Sequence, residues 1–143
     1  MLQNLLLGSV LVAFSVLVHT IGLILVAAAM PGMARGLRLH NHDAGRTLMM
    51  AVTVLGILCL LTFEVWGWAI AYFALRATAN FADALYLSTA MFSTVGYAGI
   101  SVDPEWRLLT ALEGINGFLL IGWSTAFLVR ASARHGPFKA EHF

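Results

Sequence analysis

Charge is scarce in this chain: only 10% of its 143 residues are Asp, Glu, Lys or Arg. Soluble domains carry about a quarter charged residues, so the shortage excludes an ordinary water-soluble globule and indicates a membrane protein. Cysteine is nearly absent. Cys59 stands alone in an apolar run, which excludes a disulfide framework or a cysteine metal site within one chain. The formal net charge is +1. With no basic patch outside the loops, no nucleic-acid partner is expected. Neither Lys nor Arg precedes Met30. A cleaved signal sequence needs a positive start and a shorter apolar core, so residues 1–30 read as a retained transmembrane helix.

What the chain has instead is apolar length: 60% of residues are hydrophobic and the mean hydropathy is +0.86. The first run, with the boundary of its segment at residue 32, is expected to end at Pro31-Gly32, where a backbone donor is missing and the chain relaxes. A polar connector over 33–46 carries Arg35, Arg38, His40, Asn41, His42, Asp43 and Arg46. A second run, Thr47 to Leu75, is long enough to span with tilt. After a polar break with Thr78, Asn80 and Asp83, the run from Ala84 to Phe92 has about nine residues and reaches roughly 13 Å at 1.5 Å per residue. That is too short for roughly 30 Å of hydrocarbon, so the segment must re-enter, shielded by protein or water. Pro104 opens a last spanning run, Leu108 to Val129, closed by Arg130, Arg134 and Lys139 in a tail over 132–143.

Positive charge sets the expected orientation. Arg35, Arg38 and Arg46 lie in the connector and Arg130, Arg134 and Lys139 in the tail, against Arg76 and Arg107 on the other side. The positive-inside rule puts connector and tail in the cytoplasm and the N-terminus outside, in a multi-pass protein of the cell (inner) membrane.

Between the short run and Pro104 lies Ser93-Thr94-Val95-Gly96-Tyr97-Ala98-Gly99. Thr-Val-Gly-Tyr-Gly loops form potassium filters whose backbone carbonyls replace the ion's hydration shell. The string from Asp83 to Ile100, continued through Trp106 to Val129 with Leu112-Glu113-Gly114-Ile115-Asn116-Gly117-Phe118, resembles the pore module of the tetrameric potassium-channel superfamily. The likeness covers roughly Thr47 to Val129, within a pore domain over 47–131: outer helix, pore helix, filter and inner helix. The first helix falls outside that minimal module. What the resemblance implies is an all-α membrane protein with three transmembrane helices, a re-entrant pore helix and a filter loop, assembled as a homotetramer. It also implies passive potassium conduction without enzymatic activity or cofactor. Thr94, Val95, Gly96, Tyr97 and Ala98 would form the filter, with Thr94, Val95, Gly96 and Tyr97 presenting the oxygens to potassium and the Thr94 hydroxyl closing the inner end. Gly117 falls where related inner helices bend, a hinge or a packing site.

Two departures bear on selectivity. Ala98 replaces the final filter glycine and Gly99 stands where the family usually has Asp, so the outermost ion site is expected to differ, or Gly99 takes over the special dihedral. A weakly selective monovalent cation channel and a non-conducting accessory subunit are therefore the alternatives.

Three other ionisable residues fall inside the apolar runs. Glu64 lies about 18 Å from Arg76 along the second span and His19 at comparable depth in the first. Intramembrane ionisable residues usually pair, and a Glu64–His19 hydrogen bond docking the two helices is expected. Glu113, about two turns into the last span with Asn116 and Gly117 on its face, either faces the outer vestibule or, as the resemblance implies, bonds the pore helix and braces the filter. No nucleophile–base pair or metal-ligand cluster has the spacing an intramembrane enzyme would need. The loop and tail histidines, His40, His42, His135 and His142, read as solvated. Trp106, at the outer start of the last span, reads as an interfacial anchor.

Overall fold

The computed structural model describes residues 2–36, 43–96, 99–100 and 102–135. Four α-helices follow one another: α1 (Leu2–Gly36), α2 (Asp43–Ala74), α3 (Phe81–Phe92) and α4 (Arg107–His135), with a 3₁₀ turn at Pro104–Trp106 leading into α4. Three of them, α1, α2 and α4, are long and apolar enough to cross a membrane. At 1.5 Å per residue α3 is about 18 Å long, well short of a bilayer's roughly 30 Å. Helices α2 and α4 form a central pair. The long α1 packs along both on one side, and α3 also packs against both.

The first helix does not stop at Pro31-Gly32 as its sequence suggested; α1 continues to Gly36. A proline deletes one hydrogen bond, and thirty preceding residues already supply the nucleus that makes helix propagation easy. Residues 43–46 of the expected connector likewise begin α2.

Helix α1 turns its polar side inward. Asn4, Ser15 and His19 are buried while Leu6, Val10, Phe14, Leu17 and Ile21 are exposed. Lipid solvates such leucine and valine faces, so the helix is held by small residues and polar contacts. The Asn4 side-chain amide donates to the Glu105 carbonyl, and the Trp68 indole donates to Ser15 Oγ at 3.1 Å. Gly8 admits the side chains of Leu109 and Leu112.

The turn from α2 into α3 is closed by backbone hydrogen bonds. The Ala77 N–H donates to the Tyr72 carbonyl at 2.9 Å and the Arg76 N–H to the Phe73 carbonyl at 3.1 Å. These are the two bonds of a Schellman helix end, and Arg76 holds the left-handed position with φ of 56°. Asn80 then caps α3. Its extended backbone (φ −149°, ψ 169°) precedes the helix, its Oδ1 accepts from the Asp83 N–H at 2.9 Å, and its Nδ2 donates to Asp83 Oδ2 at 3.0 Å. Asp83 in the first turn also complements the positive helix end. The cap lengthens the nine-residue apolar run to twelve residues.

Trp106 is 7% exposed, so it packs within the chain rather than anchoring in the headgroup region. The 3₁₀ turn that carries it is fixed by Asp103, whose side chain accepts from the Glu105 N–H at 3.0 Å and whose carbonyl accepts from the Trp106 N–H at 2.8 Å. That geometry aims the ring at the core shared by Leu109, Trp68 and Tyr72.

Candidate ion pathway at the end of the short helix

Helix α3 delivers its negative C-terminal end to the Thr94–Gly96 segment. The helix is wound off by three hydrogen bonds: Ser93 N–H to the Thr89 carbonyl at 3.1 Å, Thr94 N–H to Met91 at 3.0 Å, and Gly96 N–H to Ala90 at 3.0 Å. Thr94 has φ of 62° and Gly96 φ of 88°. The left-handed region thus flanks Val95 on both sides. A glycine takes that conformation at no steric cost, whereas Thr94 does so against roughly 1–2 kcal/mol. Thr94 and Val95 are exposed, Val95 by 76%. Gly99 is left-handed too, with φ of 69°. Tyr97 and Ala98, the remaining filter residues expected from sequence, lie outside the described residues, as do His40, His42 and His142.

The end of α3 rests on α4 through glycine. A Cβ at Gly117 would collide with the Phe92 carbonyl oxygen and come within 2.7 Å of the Phe92 C and Cα, and a Cβ at Gly114 would lie 3.6 Å from the Met91 carbonyl. Gly117 is therefore the point where α4 meets the backbone of the last residue of α3, one residue before Ser93. Gly122, with nothing within 4 Å of its Cβ position, is open.

One helical turn before Gly117, Glu113 is buried and spans three helices. Its Oε2 lies 2.5 Å from the Tyr72 hydroxyl of α2, and its Oε1 lies 2.5 Å from Ser88 Oγ of α3. The Ser88 hydroxyl oxygen is also 2.9 Å from the Val65 carbonyl of α2. The middle of α3 is thus tied to both flanking helices at one point.

A second buried cluster joins α1 to the pair behind it. His19 Nδ1 lies 3.0 Å from Glu64 Oε1, and His19 Nε2 lies 3.3 Å from Ser124 Oγ of α4. The Trp123 ring sits 5.5 Å from the imidazole, centroid to centroid. Hydroxyl, imidazole and carboxylate follow the order of a hydrolase triad, yet each belongs to a different spanning helix and all three are buried. Among the described residues, no group of three or more His, Cys, Asp or Glu side chains gathers as a metal site.

Sequence reasoning picked out His19, Glu64, Glu113 and Gly117 but missed Ser88, Tyr72 and Ser124. Serine in a membrane helix usually bonds its own backbone and so carries no signal of a distant partner. A usable signal did exist on α1, where the polar or small residues Asn4, Gly8, Ser15 and His19 recur at helical spacing in an otherwise apolar run.

A family model described as "Ion channel" matches residues 59–134, just over half of the chain, from within α2 through α3 and the loop to the last turn of α4. No curated protein matches the chain. No solved structure matches it either.

Proposed function

The chain belongs to this ion-channel family, within the potassium-channel superfamily, and on that premise we propose that it forms a homotetrameric pore conducting potassium passively. Four copies of the 94–98 segment would surround one axis, each presenting backbone carbonyls. Ions would shed water into that stack and move by repulsion between adjacent sites. The observation that carries the reading is the pair of left-handed residues, Thr94 and Gly96, at the negative end of a helix too short to span. Alternating handedness is what a carbonyl-lined loop requires, and a helix C-terminus favours a cation nearby. The exposure of Thr94 and Val95 supports assembly as well, because a single loop supplies one quarter of a ring.

The left-handed Gly99 favours a second reading for selectivity. If the outer dihedral is displaced by one residue from the position held by Ala98, the outermost site is altered and the pore passes monovalent cations with weak preference. In both readings the cargo is a monovalent cation, the N-terminus is outside and the C-terminus cytoplasmic.

Purified protein in liposomes decides the matter through potassium and sodium flux measured side by side. Faster potassium flux that is abolished in Gly96→Ala supports the filter. Equal fluxes favour the weakly selective pore. Absent flux at every pH tested overturns conduction in favour of a non-conducting accessory subunit.

A further inference from the structure

We propose that Glu113 is a neutral carboxylic acid, and that its proton is what lets Ser88 tie α3 to α2 and α4 at once. Three short oxygen–oxygen contacts meet at this point: Tyr72 to Glu113 at 2.5 Å, Ser88 to Glu113 at 2.5 Å, and Ser88 to the Val65 carbonyl at 2.9 Å. A full two-centre hydrogen bond at each needs its own hydrogen, since a hydroxyl hydrogen shared between two acceptors weakens both. The Tyr72 and Ser88 hydroxyls supply one each and a carbonyl supplies none. Making all three bonds in full places the third hydrogen on Glu113.

Protonated, Glu113 donates from Oε1 to Ser88 Oγ. Ser88 is then free to donate to the Val65 carbonyl while Tyr72 donates to Oε2. Ionised, the carboxylate would draw the Ser88 hydrogen to itself and leave the Ser88 oxygen facing the Val65 carbonyl lone pairs with no hydrogen between them.

Charge points the same way. Glu113 is 0% exposed, and among the described residues no Lys, Arg or His side chain lies within ion-pairing distance of it. A carboxylate there would have no counter-ion among the described residues. The group titratable beside it on α2 is Tyr72; Ser88 faces it from α3. Helix α1 meets this part of α4 with Gly8, against Leu109 and Leu112.

Among the described residues, Glu113 is hydrogen-bonded to none of Thr94, Val95 and Gly96. It is a positioning residue that acts through α3, and its role in conduction rests on the function proposed above, whereas its protonation does not. Glutamine reproduces the neutral acid: its amide donates to Ser88 and its carbonyl accepts from Tyr72. Leucine has neither group.

The test takes the purified full chain in lipid and records infrared difference spectra of wild type against Glu113→Gln at neutral pH. A carboxylic-acid C=O stretch present in the wild type and lost in the variant is expected. A carboxylate signature lost instead overturns the proposal, whether or not the protein conducts. In parallel, Glu113→Gln is expected to keep potassium flux within roughly twofold, whereas Glu113→Leu and Ser88→Ala lower it about tenfold, the size of one lost buried hydrogen bond. Glu113→Gln falling as far as Glu113→Leu also overturns it. Absent flux in the wild type refutes the conduction reading alone and leaves the infrared result decisive for Glu113.

Discussion

A methyl group at Gly117 has nowhere to go. The Phe92 backbone occupies that space, and a backbone cannot rotate out of the way as a side chain can. Gly117→Ala is expected to push the end of α3 off α4 and to cost about 1–3 kcal/mol, the usual range for overpacking. Gly122→Ala, five residues on, opens onto free space and should change stability by no more than about 0.5 kcal/mol. Thermal unfolding of both variants in detergent checks the contrast; equal shifts would remove Gly117 as a packing point and leave the hinge reading standing. Arg76 supplies the opposite sign. It holds φ of 56° at a helix end that ordinarily takes glycine. Arg76→Gly is expected to stabilise by roughly 1 kcal/mol by removing the left-handed penalty, visible as a higher midpoint in the same assay. Neither prediction follows from composition. Glycine is common in membrane helices, and only the distance to Phe92 distinguishes Gly117 from Gly122.

Among the elements, α1 is the one that the pore resemblance did not account for. It is nonetheless part of the same packed unit, held by Asn4, Ser15 and His19 along one face. The His19–Glu64 contact is buried on both sides, and removing one member of such a pair leaves the other uncompensated. His19→Ala and Glu64→Ala are each expected to destabilise by about 1–3 kcal/mol, the cost of leaving a buried polar partner unsatisfied. The double substitution should cost clearly less than the sum, because neither orphan then remains. A double-mutant cycle read by unfolding in detergent measures the coupling. Additive effects would show that the two side chains do not act as a pair. Ser124→Ala, which removes a single neutral hydrogen bond at 3.3 Å, should cost only about 1 kcal/mol. The existence of this pair was readable from two ionisable residues at matching depths. Its third partner was not, since Ser124 is one of several serines in apolar runs and α4 could face α1 with any side. The same limit explains Glu113: sequence placed it near the short helix, but only packing brought Tyr72 and Ser88 to its two oxygens.

For the whole molecule, the question is what covers the exposed loop and the open side of α4, where Ile115, Phe118, Leu119 and Val129 are all more than half exposed. Lipid can solvate such residues, and so can three further copies of the chain. Native mass measurement of the detergent-solubilised protein should give four copies; a monomer would remove the ring on which carbonyl coordination depends. Selectivity is tested at the same scale through Ala98→Gly. Restoring the usual filter glycine is expected to raise the ratio of potassium to sodium flux by about tenfold, as a change near 1.4 kcal/mol in relative site energy would. An unchanged ratio would show that the outer site is set elsewhere, with Gly99 the next position to examine.

That this is a membrane protein, how many segments can span, that one cannot and where the filter-like string falls were all legible along the linear chain. Those properties depend on hydropathy and length along the chain, which need no partner to be read. Helix packing set the rest: α1 turns its polar face inward, Gly117 is a point of backbone contact, and Glu113 shares its oxygens with α2 and α3. Each depends on the rotation of one helix against another. In an almost uniformly apolar chain the hydrophobic pattern does not fix that rotation, because lipid accepts every apolar face equally well. A few glycines and buried polar side chains fix it instead, through contacts between residues far apart in sequence.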